Sequence, residues 1–411
     1  MKKISNIFLI IASVLVLSWF MPWLLDFIIP SAAKNPVVYF SPVDNRFIMS
    51  KTDEDGKSQF KELDTNGNLL GEITRNERDR LLPQVFYTVL SGKDELPDSV
   101  CGQPVSVHRF KENSWVFVSN PREVNKVQAE VNMMMESMPE RLELEDATEV
   151  FRFTSDGVEF VDMATNSVLP ERSARFTKML KAEGFTFPAI ALNANVTSHK
   201  PYDEGYLMVD ANHKLFHVKM QVGRPYVHRV EEAERVSVEH VFVMENADHR
   251  FLGVFTDVDN NAYMLEASTY AVKKLPFKWN PESERIVIMA NLFNWVATVG
   301  NSSGVSFVAV DNGNLSLLGQ FRINSATSKI QKVKDCIFPF TLSFTSLDDQ
   351  YVYPRMQLSG SWFVLLINIV LAGIAFCLMR RRRGMQLAWS VAMVLLGVYV
   401  FIPLIVFYKS K

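Results

Sequence analysis

His213 and His217 are four residues apart, the nearest approach in this chain to a metal-ligand spacing. On a helix that spacing puts both rings on one face, where a zinc ion can be held. Here the pair flanks a turn and a run that reads as a strand, and four strand residues extend about 13 Å, too far for both rings to reach one ion. His108, His199, His228, His240 and His249 show no ligand spacing at all. Asp203 and Glu204 offer two adjacent carboxylates, but neighbouring side chains on a strand point to opposite faces. The Met133, Met134, Met135 run has the soft thioethers that copper(I) prefers; an apolar stripe facing a core or a partner is the plainer reading. Gly300 and Gly304 bracket a serine pair and read as a strand-connecting loop. No zinc-protease helix, nucleophile elbow, phosphate-binding loop or dinucleotide glycine pattern occurs. No catalytic residue, cofactor or metal is therefore expected, and function has to be sought in the elements that surround these groups.

Those elements are mainly strands. Four segments, starting at Val150, Gly205, Leu252 and Val305, share one design: a hydrophobic run, an acidic turn, a second hydrophobic run. Their turns centre on Asp156, Asp210, Asp259 and Asp311, spaced 54, 49 and 52 residues, and an earlier turn at Asp64-Thr65-Asn66-Gly67 follows the same style. Asp, Asn and Gly suit such turns because they tolerate positive φ or bond their own backbone. The turns lack the dense oxygen ladder of a calcium loop. Hairpins recurring at this interval are what propeller blades give, so the expected fold is mainly β and propeller-like, with stacked β-sandwich modules as the alternative. Three helices should interrupt the strands. One opens on the capping box Thr74–Glu77 and runs to about Leu90. A second opens at Pro121, with Val124, Val127, Val131, Met134, Met135 and Met138 at helical spacing. The third covers 170–182.

Three long apolar runs flank this region, at 7–29, 362–379 and 387–408. About 20 apolar residues cross a bilayer as a helix, so three transmembrane helices are expected around an outer domain, 30–360. Lys2 and Lys3 in the 1–6 segment, and Arg380, Arg381, Arg382 and Arg383 in the 380–386 loop, mark both segments as cytoplasmic by the positive-inside rule. Trp19, Trp23, Trp362, Trp389, Tyr399 and Tyr408 sit near run ends, where aromatic belts form. The first run is longer than the apolar stretch of a signal peptide, which favours an uncleaved anchor; Ser31-Ala32-Ala33 keeps cleavage open as the alternative. Asp26 and Asn368 are polar groups inside or beside these runs. Each is read either as a tolerated or interfacial residue or as an intramembrane contact, Asp26 to a partner subunit and Asn368 between helices.

Net charge is −2, but eight of the 43 basic residues lie in the termini and the arginine loop. The middle region is left with 35 bases against 44 acids, a balance of −9. Such a surface repels phosphate backbones and excludes nucleic acid as an expected partner. Three cysteines occur, and Cys101 and Cys336 both fall in the outer region, where a disulfide between them would persist.

Leu82-Pro83, Phe86-Tyr87 and Leu96-Pro97-Asp98-Ser99 with Gly102, together with Asp203-Glu204-Gly205-Tyr206 and the 215–220 run, give the chain a more specific signature. They resemble a bacterial membrane-protein family known only as a domain of unknown function, with one N-terminal helix, a large outer domain and two C-terminal helices. The resemblance implies a location in the bacterial inner membrane and an association with ABC-type transporters. From it follows the expected role: a non-enzymatic accessory subunit of a membrane complex, with ATPase and permease subunits as partners. An envelope sensor or scaffold is the alternative, and a membrane-anchored enzyme a further one. A cysteine placed at Arg381 should be shielded from a membrane-impermeant thiol reagent in intact cells and should label after permeabilisation. Labelling in intact cells would reverse the expected topology.

Overall fold

The computed structural model describes residues 2–29, 36–52, 56–127, 130–140, 143–325, 329–378 and 383–408. They divide into two compact units: a helical one of 1–35, 52–57 and 325–411, which opens with α1 (Lys2–Ile28), and a β-rich one of 36–51 and 58–324.

The β-rich unit is a succession of antiparallel sheets. The first carries β1 (Val37–Ser41), β2 (Arg46–Thr52), β3 (Ser58–Leu63) and β4 (Leu69–Ile73) in that order. Two short helices follow, α2 (Arg75–Leu81) and α3 (Pro83–Gly92), where one was expected. The capping box at Thr74 and Glu77 forms as expected, but Pro83 has no N–H to continue the helix and disfavours helical geometry at Leu82, whose ψ is 56°. A minimal hairpin, β5 (Ser99–Val100) and β6 (Gln103–Pro104), then leads through α4 (Val107–Glu112) to β7 (Trp115–Ser119). After α5 (Pro121–Val124) comes the second sheet, of β8 (Asn132–Met134), β9 (Glu149–Phe153), β10 (Val158–Asp162) and β11 (Ser167–Val168). The expected helix from Pro121 thus stops after one turn, and the Met-rich segment is a strand. Met133 pairs with Val150 and Met134 with Glu149; a partner strand decided what spacing alone left ambiguous. The expected 170–182 helix is α6 (Pro170–Ala182).

The third sheet has β12 (Ala191–Ala194), β13 (Tyr206–Val209), β14 (Leu215–Gln221) and β15 (Arg224–Arg229). The fourth has β16 (Val238–Val243), β17 (Phe251–Asp257), β18 (Asn261–Glu266) and β19 (Val272–Lys278). In the fifth, β20 (Arg285–Ala290), β21 (Asn294–Asn301), β22 (Gly304–Asp311) and β23 (Leu317–Asn324) are joined by β7, which pairs along β20. The hairpins read from sequence are β9–β10, β13–β14, β17–β18 and β22–β23, with β3–β4 for the early turn. In four of them one carboxylate holds the turn. Asp64 accepts from the amides of residues 66 and 68, Asp210 from 212 and 214, Asp257 from 259 and 261, and Asp311 from 313 and 314. The turn carboxylates are spent on backbone N–H groups. In the Leu252 segment the capping residue is Asp257, two positions before the expected Asp259. Aromatic residues fill the space between sheets: Trp115, Phe251, Trp279 and Trp295 belong to the largest cluster, and Phe151, Phe160, Phe176 and Phe216 to the next.

The helical unit adds α7 (Lys329–Ile337), the hairpin β24 (Phe340–Ser343) and β25 (Arg355–Leu358), and α8 (Phe363–Leu378), α9 (Arg383–Leu396) and α10 (Val398–Tyr408). Among the described residues one helix is long and apolar enough to cross a membrane, Ile7–Ile28 in α1. The C-terminal apolar segments are shorter: Phe363–Cys377, Leu387–Leu396 and Val398–Phe407. The single helix expected over 387–408 is therefore two, broken at Gly397, which has φ +54°. A Cβ at Gly397 would stand 2.1 Å from Asn368 Oδ1, so glycine is required there twice over, by conformation and by the approach of α8. Asn368 is fully buried and donates from Nδ2 to the Val394 carbonyl at 3.1 Å, the interhelical reading of that residue. Asp26 pairs with Lys334 of α7, Oδ1 to Nζ 2.6 Å, and stays half-exposed.

Gly397→Ala should destabilise the helical unit by roughly 2–4 kcal/mol, the sum of left-handed strain and overpacking. Thermal unfolding in detergent reads this as a lowered Tm. Adding Asn368→Ala should recover the overpacking share and leave the strain; no recovery would mean the two residues do not meet.

Candidate functional site

A cavity of about 770 Å³ opens in the β-rich unit, within the range of small-molecule sites. Its walls come from edge strands: β8, β12 and β16 are the first strands of the second, third and fourth sheets, and β7 is the outermost strand of the fifth. A strand at the edge of a sheet carries one row of unpaired N–H and C=O groups, and four such edges meet here. The side chains between them are unusually apolar for exposed positions. Val116, Val118, Val127, Val131, Met133 and Val196 all line the cavity, and all are exposed. The alternation of β7 explains two of them. Trp115, Phe117 and Ser119 are buried, while Val116 and Val118 face out. Polar side chains share the wall: Ser119, Glu123, Lys126, Asn132, Asn193, Tyr206, His240, Glu245 and Asn246. Burial holds the His240 imidazole below its ordinary value, against the pull of Glu239 and Glu282, so this ring favours its neutral form. The Asn246 amide nitrogen is buried with no partner among the described residues, an available donor in the wall.

Behind Glu245 lies a buried ion network. Lys200 Nζ reaches Asp203 Oδ1 at 2.6 Å and Glu245 Oε1 at 2.7 Å, and all three side chains are almost fully covered. It also donates to the Asn195 carbonyl. Asp203 accepts from Ser137 Oγ at 2.5 Å and from the Gly205 amide at 3.1 Å. Glu245 accepts from the Glu204 amide and from Asn195 Nδ2, both at 2.8 Å. Burial raises the Glu245 carboxyl, and the Lys200 hydrogen bond opposes it. Three charges out of water survive because each oxygen and proton has a partner; removing Lys200 would leave two buried carboxylates facing each other. The network joins the loop after β12 to the end of β16, and Asn193 Oδ1 accepting from the Val243 amide at 2.8 Å adds a second tie between those sheets.

On the other side of the same chain turn, Glu204 pairs with Lys219 at 2.9 Å. His217 is buried between its two hydrogen bonds. Its Nε2 donates to the Glu204 carbonyl at 2.6 Å, which leaves Nδ1 to accept from the Tyr270 hydroxyl at 2.7 Å; Tyr226 Oη is 3.0 Å from Tyr270 Oη. Burial, the larger effect, pushes the His217 pKa down to about 4 despite the Glu204 carbonyl, so the ring stays neutral. Gly205 between the two networks has φ +63°, and a Cβ there would lie 2.5 Å from both Lys219 Cβ and the Val218 carbonyl. The motif Asp203-Glu204-Gly205-Tyr206 and the run 215–220 thus meet as one packed polar junction.

His213 and His217 do not converge. His213 Nδ1 bonds the Val238 carbonyl at 2.8 Å, away from the His217 partners. Asp203 and Glu204 lie in the loop before β13 rather than on a strand, and they point to different partners. Cys101 and Cys336 are free, so the disulfide that the sequence allowed does not form: Cys101 Sγ donates to the Pro42 carbonyl at 3.1 Å, and Cys336 Sγ lies 3.8 Å from Ser361 Oγ. Arg380, Arg381 and Arg382 fall outside the described residues, as do the side chains of Lys2, Lys3 and Arg383. Among the described residues no group of three or more His, Cys, Asp or Glu is placed to hold a metal ion. Sequence reading missed Lys200, Glu245, Asn193, Val116, Val118 and Val196; it picked out Val127 and Val131, but as part of a helix face. The alternation in β7 was a signal for Val116 and Val118, whereas nothing local marks Glu245, 45 residues from its lysine partner.

The profile of a family described as a domain of unknown function, DUF4857, matches residues 37–310. No curated protein matches the chain. Among solved structures, the Cps50 (Swd1) β-propeller domain of Myceliophteria thermophila is 12% identical with a TM-score of 0.28, over 53% of this chain and 60% of that one. The dihydro-heme d1 dehydrogenase NirN in complex with DHE is 12% identical with a TM-score of 0.26, over 80% of this chain and 64% of that one. The chain thus spans under two thirds of either structure, and at these TM-scores neither likeness carries an argument.

His217 supplies a pH signature. It is neutral in the fold down to about 4, whereas its ordinary value is 6.5. Between those values the unfolded chain binds a proton that the folded chain does not, so stability falls as pH drops from about 6.5 to about 4, by on the order of 3 kcal/mol. Denaturant unfolding at about pH 7 and about pH 5 should show this slope, and His217→Gln should flatten it.

Proposed function

The chain belongs to the DUF4857 family, and we propose that it works as a membrane-tethered binding module whose cavity takes an amphipathic guest. The observation that carries this reading is the convergence of exposed valines and Met133 with polar side chains on one cavity. Water is a poor solvent for that surface, at roughly 25 cal/mol per Å² of apolar area. A guest with an apolar body against Val116 and Val118 and an acceptor toward Asn246 would satisfy both kinds of wall. A role in binding is also supported by the way the charged side chains are used: Lys200, Asp203 and Glu245 are consumed by one another.

The β-rich unit is read as a propeller-like domain on the outer face of a bacterial inner membrane. Support comes from five antiparallel sheets in succession and from edge strands of four of them lining one cavity, as inner blade strands line a channel. The tether is α1. Completing the bilayer contact with α8 and the α9–α10 pair, with the arginine loop inside, rests on the positive-inside rule. The role as an accessory subunit serving an ABC-type transporter rests on the resemblance of the whole layout, and the cavity would then hold a molecule on its way to or from the permease. An envelope sensor would use the same cavity without those partners.

The apolar fluorophore N-phenyl-1-naphthylamine should brighten on binding the full-length protein in non-quenching detergent, saturably, and Val118→Asp should lose most of that signal with the fold intact by circular dichroism. Equal binding by both proteins would remove the cavity as the site. A gentle-detergent pull-down from the native host should recover an ATPase and a permease in fixed ratio; recovery of this chain alone, from membranes where the transporter itself stays assembled, favours the sensor.

A further inference from the structure

The fourth and fifth sheets border a second recess, of about 590 Å³, lined by β19, β21, β22 and β23. β19 and β23 end their sheets on the side away from β16 and β7, so this recess is separate from the edge-strand cavity. Three exposed cations line it: Lys274 and Lys278 from β19 and Arg322 from β23. On the fifth sheet Val299, Ser306 and Arg322 stand directly across from one another on β21, β22 and β23, so they share one face of the sheet. No carboxylate pairs with any of the three cations among the described residues. Lys278 Nζ donates to the Asp259 carbonyl at 3.2 Å, and Lys274 stands 5.9 Å from the centre of the Tyr263 ring. Arg322 donates to two neutral hydroxyls, Ser306 Oγ at 3.0 Å and Ser303 Oγ at 3.3 Å. One carboxylate, Glu284, also lines the recess, and it accepts from the Asn280 amide at 3.1 Å. Elsewhere in this unit cations are matched with acids: Arg46 with Glu62, Arg152 with Glu159, Arg229 with Glu234. Acids outnumber bases across the middle region, so the three cations are not unmatched for want of acids. Like charges brought together repel, and a bound anion would relieve that repulsion.

We propose that this recess binds a phosphomonoester. Such a group carries about −1.5 to −2 at neutral pH, which matches three cations set against one carboxylate. A guanidinium presents several N–H donors in a planar fork that fits phosphate oxygens, and an ammonium adds a mobile point charge. The serine hydroxyls hold the Arg322 guanidinium in place without cancelling its charge. Buried Leu275, Val299 and Val308 line the same recess, so the organic part of the ester has apolar surface to rest on. The acid excess of the surrounding region repels a long polyanion, whereas a small ester meets only the local positive field.

The test is calorimetric titration of the full-length protein in detergent with phenyl phosphate. Binding should be saturable, and Arg322→Gln and Lys274→Gln should each weaken it by about tenfold, the loss of one charge-assisted contact. Lys273→Gln makes the same charge change one residue along β19, outside the recess, and should leave the affinity unchanged. Absence of saturable binding would overturn the proposal. So would equal affinity in Arg322→Gln, or a loss in Lys273→Gln as large as in Lys274→Gln, which would mark a diffuse charge effect. Repeating the titration in nanodiscs separates the two sources of the group. If the occupant is a lipid headgroup, phosphatidic acid in the disc should block phenyl phosphate where the phosphodiester phosphatidylglycerol does not. Equal binding in both discs assigns the site to a soluble phosphomonoester.

Discussion

An antiparallel sheet always ends in strands with one row of backbone groups unpaired, and the β-rich unit is organised by where it puts those rows. Edge strands of four sheets turn toward one cavity, where exposed valines stand among polar side chains. Unpaired backbone beside exposed apolar side chains is the combination that invites another chain or molecule to bind. Enclosing the edges limits that invitation to what fits about 770 Å³. The same constraint explains β7, which leaves its neighbours in sequence to cover the flank of β20 and contributes Val116 and Val118 to the wall.

Walls built from separate sheets need fixed spacing, and the buried network of Lys200, Asp203 and Glu245 provides it. A charged triad specifies geometry more tightly than an apolar contact, because any displacement leaves an unpaired charge in low dielectric. Here it joins the loop after β12 to the end of β16, two of the strands that form the cavity. The His217–Tyr270–Tyr226 chain extends the polar ties from β14 and β15 to the fourth sheet through Tyr270. Cavity and ion network are thus coupled at Glu245, which lines the one and anchors the other.

Much of this was legible in the sequence, for identifiable reasons. Hairpins with Asp turns announce themselves because a carboxylate capping two amides must sit at a fixed place in the turn, and Asp64, Asp210 and Asp311 do. The α6 helix was read to its ends because Pro170 sets its first turn. Expectation failed where distant strands decide. The Met133–Met135 segment has helical spacing yet pairs with β9, and no local signal carries that choice. The third apolar run hid its break because the two things that require Gly397, its positive φ and the approach of Asn368 from another helix, exist only in the fold. The site was less legible than the fold. Adjacent Asp203 and Glu204 were visible as charges, but of their partners only Lys200 is local, and Glu245, Lys219 and Ser137 come from three other segments.

The central claim is that the edge-strand cavity is an occupiable site. Thiol labelling of Val118→Cys, in protein with its native cysteines replaced, tests it most directly. The account predicts that a small maleimide labels this position readily and that saturating N-phenyl-1-naphthylamine slows the reaction, while a cysteine at exposed Val222 is unaffected. Unchanged labelling at Val118 with the fluorophore bound would contradict it.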